Sequence, residues 1–116
     1  MLVALALAAQ PADVRLKPDA TAAVATVQKY CVTCHNARAH TGGLSLEGLA
    51  VADAAHAPQT WEKVIRKVLT GMMPPGGAPR PDRAVLDAMA DAAAGRIDRA
   101  AAGAPNPGAP GLHRLN

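Results

Sequence analysis

Both cysteines of the chain lie in one short stretch, Tyr30-Cys31-Val32-Thr33-Cys34-His35-Asn36. Two cysteines three positions apart, with a histidine directly after the second, have the spacing of a c-type haem attachment site. The spacing has a geometric reason. Residues at i and i+3 on a turn of helix share a face, so Cys31 and Cys34 can each form a thioether to one haem vinyl group, with His35 beneath the iron. A neutral imidazole suits iron, and haem proteins commonly use histidine as an axial ligand. Two other chemistries share the Cys-x-x-Cys pattern. One is a redox dithiol of the thioredoxin type, and the other is half of a zinc site completed by His35, His40 or His56. The dithiol needs a βαβ setting, and no run of β-branched or aromatic residues is present to supply strands.

A second stretch with chemical potential is Gly71-Met72-Met73-Pro74-Pro75-Gly76-Gly77. A residue before proline is pushed to extended geometry, so Met73 belongs to a stiff, non-helical loop that holds its thioether in place. A methionine opposite a histidine on haem iron raises the reduction potential. Taken alone, Met72 and Met73 read as flexible core fillers. Beside Cys-x-x-Cys-His, Met73 becomes the expected distal ligand, with Met72 as a neighbouring candidate and His40 or His56 as the route to bis-histidine ligation. Protein ligands at both axial positions leave iron no open site for oxygen or peroxide, which points to electron transfer rather than catalysis.

Three helices are expected to position these groups. The first begins near Asp19 or Thr21, with Val24, Val27 and Cys31 at i, i+3 and i+7, so the motif is expected to be borne on its inward face. From Ala37 to His56 no period is sustained, and Gly42-Gly43 and Gly48 mark a loop whose Leu44, Leu46 and Leu49 should pack against the haem edge. Pro58 suits a first helical position. Trp61, Val64, Ile65, Val68 and Leu69 then form an amphipathic stripe that Gly71 ends. A last helix is expected from Pro81 or Asp82 to Ala101, with Val85, Leu86, Met89, Ala93 and Ile97 on one face. Asp82 and Asp87 lie near its positive end, Arg96 and Arg99 near its negative end.

The motifs, in this order, are similar to those of planctomycete-type cytochrome c domains: Cys31-Val-Thr-Cys34-His35-Asn36, Thr41-Gly-Gly-Leu-Ser-Leu46, Trp61-Glu-Lys-Val64 and Gly71-Met-Met-Pro-Pro75. The resemblance covers roughly Thr21 to Ala101. It implies an all-α, class I-like fold around one covalently attached haem c, with Cys31 and Cys34 as attachment residues, His35 as proximal ligand and Met73 as distal ligand. In that family the domain often heads a larger secreted protein. A redox-entry domain of a larger oxidoreductase is therefore the alternative to a free carrier, and a zinc-binding structural module is a third reading.

Composition sets the limits. A chain of 116 residues is one small domain; half of it is hydrophobic, yet it has one Trp, one Tyr and no Phe, and alanine supplies much of the apolar content. So thin a core calls for a staple, which a covalent macrocycle would provide. The formal charge of +3 is scattered, without aromatic interleaving, and gives no nucleic-acid signature. Arg38, Lys63, Arg66 and Lys67 are candidates for meeting haem propionates, or simply solvated charges. Residues 1–9 are uncharged and apolar, with a small-x-small pattern at Ala6-Leu7-Ala8. They resemble the end of a secretory signal, are too short to span a bilayer, and carry the expectation of export to the periplasm. Residues 19–101 are the expected haem domain. Residues 102–116, with three prolines and three glycines between Gly103 and Gly111, read as a linker to a possible downstream domain. The partners expected are redox proteins or that in-chain domain.

Overall fold

Alanine-rich segments with apolar residues at helical spacing give three helices in the computed structural model, which describes residues 20–106. Helix α1 is Ala20–Tyr30, α2 is Pro58–Leu69 and α3 is Arg83–Gly103. Two 3₁₀ segments, Thr41–Gly43 and Val51–His56, lie in the connection between α1 and α2. No strand occurs among the described residues. The expected signal remnant at 1–9, the Asp19 cap, and residues 107–116 of the expected linker lie outside them.

The core is built where α3 crosses α2 and the second 3₁₀ segment, with α1 completing one side. Helix α3 contributes Leu86, Met89, Ala90 and Ala93, at i, i+3, i+4 and i+7. Helix α2 contributes Trp61, Val64 and Val68, and the 3₁₀ segment contributes Val51 and Ala54. Ala23 and Val27 of α1 and Leu46 of the loop close it. Small alanines on α3 let neighbouring backbones approach closely, and Trp61, only 1% exposed, is the largest side chain in the core. Pro58 occupies the first turn of α2, as its missing N–H and fixed φ allow.

Several details differ from the sequence expectation. Leu69, expected on the α2 stripe, is 47% exposed. In α1 the buried residues are Ala23, Thr26 and Val27, while Val24 is 38% exposed. Thr26 tolerates burial because its hydroxyl donates to the Ala22 carbonyl at 2.8 Å. On α3 the buried stripe runs through Leu86, and Val85, one position earlier, is rotated out to 37% exposure. The connection from Ala37 to His56 is not wholly irregular, because Val51–His56 winds into a 3₁₀ segment too short and alanine-rich to show a period in sequence.

Trp61→Ala is expected to lower unfolding free energy by about 3–5 kcal/mol through the cavity it leaves, whereas Val85→Ser should stay within about 0.5 kcal/mol. Urea unfolding followed by far-UV circular dichroism measures both.

Candidate haem site

The Cys-x-x-Cys-His motif is not on the helix proper. Helix α1 ends at Tyr30, and Cys31 to His35 follow in turns. The cause lies in the hydrogen bonds. The Val27 carbonyl accepts from both Cys31 N (2.9 Å) and Val32 N (3.1 Å), and the Cys31 carbonyl then accepts from Cys34 N (3.2 Å) and His35 N (2.9 Å). The chain thus leaves the α ladder but keeps coiling, which preserves the three-residue spacing of the two thiols.

Every carbonyl from Cys31 to Asn36 finds a donor. Asn36 Nδ2 donates to the carbonyls of Val32 (2.9 Å) and Thr33 (3.2 Å). The Cys34 carbonyl accepts from Thr41 N at 3.4 Å, the His35 carbonyl from Leu46 N at 2.8 Å, and the Asn36 carbonyl from His40 N at 2.8 Å. Asn36 Oδ1 in turn accepts from Arg38 N (3.0 Å) and Ala39 N (2.8 Å), and Glu47 Oε2 accepts from Ala37 N at 2.9 Å. One asparagine side chain therefore serves four backbone groups. His40, at φ 43°, and Gly42 and Gly43, at φ 64° and 71°, turn the chain through the left-handed region. That reversal brings Leu46 back to His35 while burying its side chain in the core.

Cys31 is half-buried and Cys34 exposed, both as free thiols. Burial pushes the Cys31 thiol up to about 11. His35 is half-buried, and its ring Nδ1 is buried without a hydrogen-bond partner; so is Trp61 Nε1. His40 is exposed, and His56 is exposed with Asp53 Oδ1 3.9 Å from its Nδ1. Among the described residues no three His, Cys, Asp or Glu side chains group to hold a metal ion, so the structure assembles no zinc site around Cys31 and Cys34.

The methionine loop is set by how α2 stops. Gly71, at φ 72°, occupies the left-handed position after the helix; its N–H bonds the Val68 carbonyl (3.0 Å) and Met72 N bonds the Lys67 carbonyl (2.9 Å), the two bonds of a Schellman motif. Met73 N shares the Lys67 carbonyl at 3.1 Å. Both methionines are thereby folded back over the last turn of α2, ahead of a cis Met73–Pro74 peptide. Met73 is half-buried and Met72 is 55% exposed, with Lys67 Nζ 3.5 Å from its Sδ. Met89 lies in the core at 1% exposure.

Two arginines that sequence reasoning passed over hold this region. Arg83, at the start of α3, donates to the Val68 (3.3 Å) and Leu69 (3.1 Å) carbonyls at the end of α2, and pairs with Asp87 at 2.7 Å. Arg80 donates to the carbonyls of Gly71 (3.0 Å) and Pro74. No local signal marks these contacts, because their partners lie six to fifteen residues away. The bracing role of Asn36 was passed over as well, although asparagine in a turn commonly bonds nearby backbone. The propionate candidates Arg38, Lys63, Arg66 and Lys67 are all exposed.

A small helical domain without strands, built around a braced Cys-x-x-Cys-His turn, has the features of a c-type cytochrome. The chain belongs to the cytochrome c oxidase, cbb3-type, subunit III family, which matches residues 18–91 and so takes in both the motif and the methionine loop. It is thus a c-type cytochrome domain, whose role is haem-based electron transfer and whose cofactor is covalently bound haem c. No curated protein and no solved structure matches the chain. Among the described residues no helix is long and apolar enough to cross a membrane.

Two outcomes follow from the geometry. With its pKa near 11, Cys31 carries thiolate at about one part in a thousand at pH 8. In haem-free protein, iodoacetamide should therefore label Cys34 first, and Cys31 labelling should rise as pH climbs towards 11; peptide mass spectrometry over a pH series reads this. Gly71→Ala puts a Cβ into open space at φ 72°, so its cost is conformational alone, about 1–2 kcal/mol. A urea midpoint unchanged by the substitution would contradict that assignment.

Proposed function

We propose that this domain carries single electrons on one haem c, attached through Cys31 and Cys34, with His35 as proximal ligand and Met73 as distal ligand. The observation that carries the proposal is the Cys31–Asn36 turn: its six carbonyls all accept hydrogen bonds, and it holds a histidine whose Nδ1 is sealed among protein atoms without a partner. A side chain held this way offers Nε2 as the nitrogen for iron. The residues present fit the group. Two thiols at the right spacing and a half-buried thioether supply its attachments. The unpartnered indole N–H of Trp61 lacks the kind of acceptor that haem carboxylates provide. When bound, haem supplies the one-electron iron couple, and the protein contributes ligand identity, burial and an edge for partners.

The stretches Thr41-Gly-Gly-Leu-Ser-Leu46 and Gly71-Met-Met-Pro-Pro75 support reading the domain as planctomycete-type. Residues 19–101 form the haem unit, and 102–116 lead from it as a linker; α3 itself runs to Gly103 before the chain leaves it. The apolar residues 1–9 and the chemistry of haem attachment favour export to the periplasm. The electron's destination is a separate redox protein or a domain joined through the proline- and glycine-rich segment.

The test is an absorption spectrum of protein made with a signal peptide and a c-type maturation system. Wild type should be red, retain its haem in denaturant, and show the weak far-red sulfur-to-ferric-iron band. Cys31→Ala should keep a single thioether, which shifts the ferrous band to the red, and Met73→Leu should lose the far-red band and lower the reduction potential. A colourless protein would refute the proposal. A red one that keeps its far-red band after Met73→Leu would refute the ligand assignment.

A further inference from the structure

We propose that Arg80 is a positioning residue that selects Met73 over Met72 as the thioether offered to iron; the inference rests on the haem reading above. The two methionines are adjacent, and one helix end anchors both, because Met72 N and Met73 N share the Lys67 carbonyl at 2.9 and 3.1 Å. That anchor alone does not choose between them. Beyond it the loop enters Pro74-Pro75, which has no N–H groups, and the next backbone donor bonded within the loop is Ala78 N, to the Pro75 carbonyl at 3.1 Å. Pro74 is also buried, but hydrogen bonds can tie the two prolines only through their carbonyls, and the Pro74 carbonyl needs a donor from beyond the turn.

Arg80 is that donor. Its Nη2 bonds the Gly71 carbonyl at 3.0 Å and also the Pro74 carbonyl, one residue on either side of the methionine pair. Both bonds leave one nitrogen, whose two N–H groups diverge in the guanidinium plane and can serve two carbonyls at once. Among the described residues no carboxylate pairs with Arg80. The two thioethers are meanwhile treated differently. Met72 is 55% exposed, with its sulfur met by Lys67 Nζ at 3.5 Å, whereas Met73 is half-buried. With both flanking carbonyls clipped, the peptide segment between them cannot rotate to exchange the two side chains. Without the clip, Met72 can compete for the position, and either thioether detaches more readily.

The experiment uses the mature haem protein and four variants: Arg80→Ala, Arg80→Lys, Arg80→Ala/Met72→Leu, and Arg99→Ala as a control near the end of α3. Imidazole titration of the ferric form reads how easily the thioether is displaced, and proton NMR of the ferrous form reads the ligand methyl group. Arg80→Ala should bind imidazole roughly ten-fold more tightly than wild type, the scale of losing hydrogen bonds from a charged donor. It should also show a second methionine methyl resonance, which disappears in Arg80→Ala/Met72→Leu. Arg80→Lys, whose Nζ ends one atom short of the Nη2 position, should fall between, and Arg99→Ala should match wild type. A general loosening of the fold would not create a resonance that depends on Met72.

Wild-type imidazole affinity and a single resonance in Arg80→Ala would overturn the selection role and leave the haem reading intact. If Arg80→Ala does not fold, Arg80→Lys decides, and wild-type behaviour there overturns the role. Absence of the far-red band from the wild-type protein itself would fail the ligand reading, and this inference with it.

Discussion

The turn from Cys31 to Asn36 must leave an α-helix without leaving its carbonyls unpaired, and much of the molecule is arranged to meet that demand. A buried carbonyl with no donor costs about 1–3 kcal/mol, a cost that a small alanine-rich core can ill absorb at the half-buried Cys31, Val32, His35 and Asn36. The donors come from three sources: the turn itself, the Asn36 side chain, and the backbone of the following loop at His40, Thr41 and Leu46. The last of these reaches furthest. Leu46 bonds the His35 carbonyl with its N–H and sits in the core with its side chain, so the position of His35 is tied directly to core packing.

The end of α2 solves a matching problem by different means. Its final carbonyls are covered by a Schellman turn from within and by Arg83 from the start of α3. Cations near a helix C-terminus also interact favourably with its dipole. One consequence is mechanical. Because Arg83 begins α3 and grips α2, the loop between them is a closed span whose ends cannot separate, and Met72 and Met73 are held at its first turn. The short helix α2 thus bears on both halves of the site: its Trp61 shares one core with Leu46, and its Leu69 end leads into the methionines.

What the sequence revealed and what it concealed divide along physical range. The stripe Trp61, Val64, Val68 and the Pro58 start of α2 were legible because helical period and a fixed φ are local properties. The Gly71 stop was legible for the same reason, and the all-α class followed from the absence of strand-forming runs. Val24 and Val85 were placed on the wrong side because each borders a stripe, where a rotation of one residue decides burial. The 3₁₀ segment Val51–His56 was hidden by its composition, since alanine marks no face. Arg80 and Arg83 were hidden by distance: a basic residue in sequence does not announce that it will serve a carbonyl fifteen positions back. The proposal of Cys31, Cys34, His35 and Met73 as site residues rests on types and spacings, and the hydrogen bonds that brace those segments were not legible.

The composition of the core bears on why a domain of this kind depends on its cofactor. Of the twelve buried apolar residues four are alanine, namely Ala23, Ala54, Ala90 and Ala93, and only Trp61 is aromatic. Alanine permits close helix contact but buries little apolar area, and burial yields roughly 25 cal/mol per Å². Leu69 at 47% and Met72 at 55% remain at the surface, close in sequence to the proposed ligand Met73. A macrocycle joined by two thioethers and two axial bonds would cross-link α1's end to the methionine loop, two segments far apart in the chain. Cross-links over long loops remove the most entropy from the unfolded state. The backbone bonds around His35 and the arginine contacts around the methionine loop then have complementary duties: they pre-shape the two ends that such a cross-link must join, so that little ordering remains to be done when it forms.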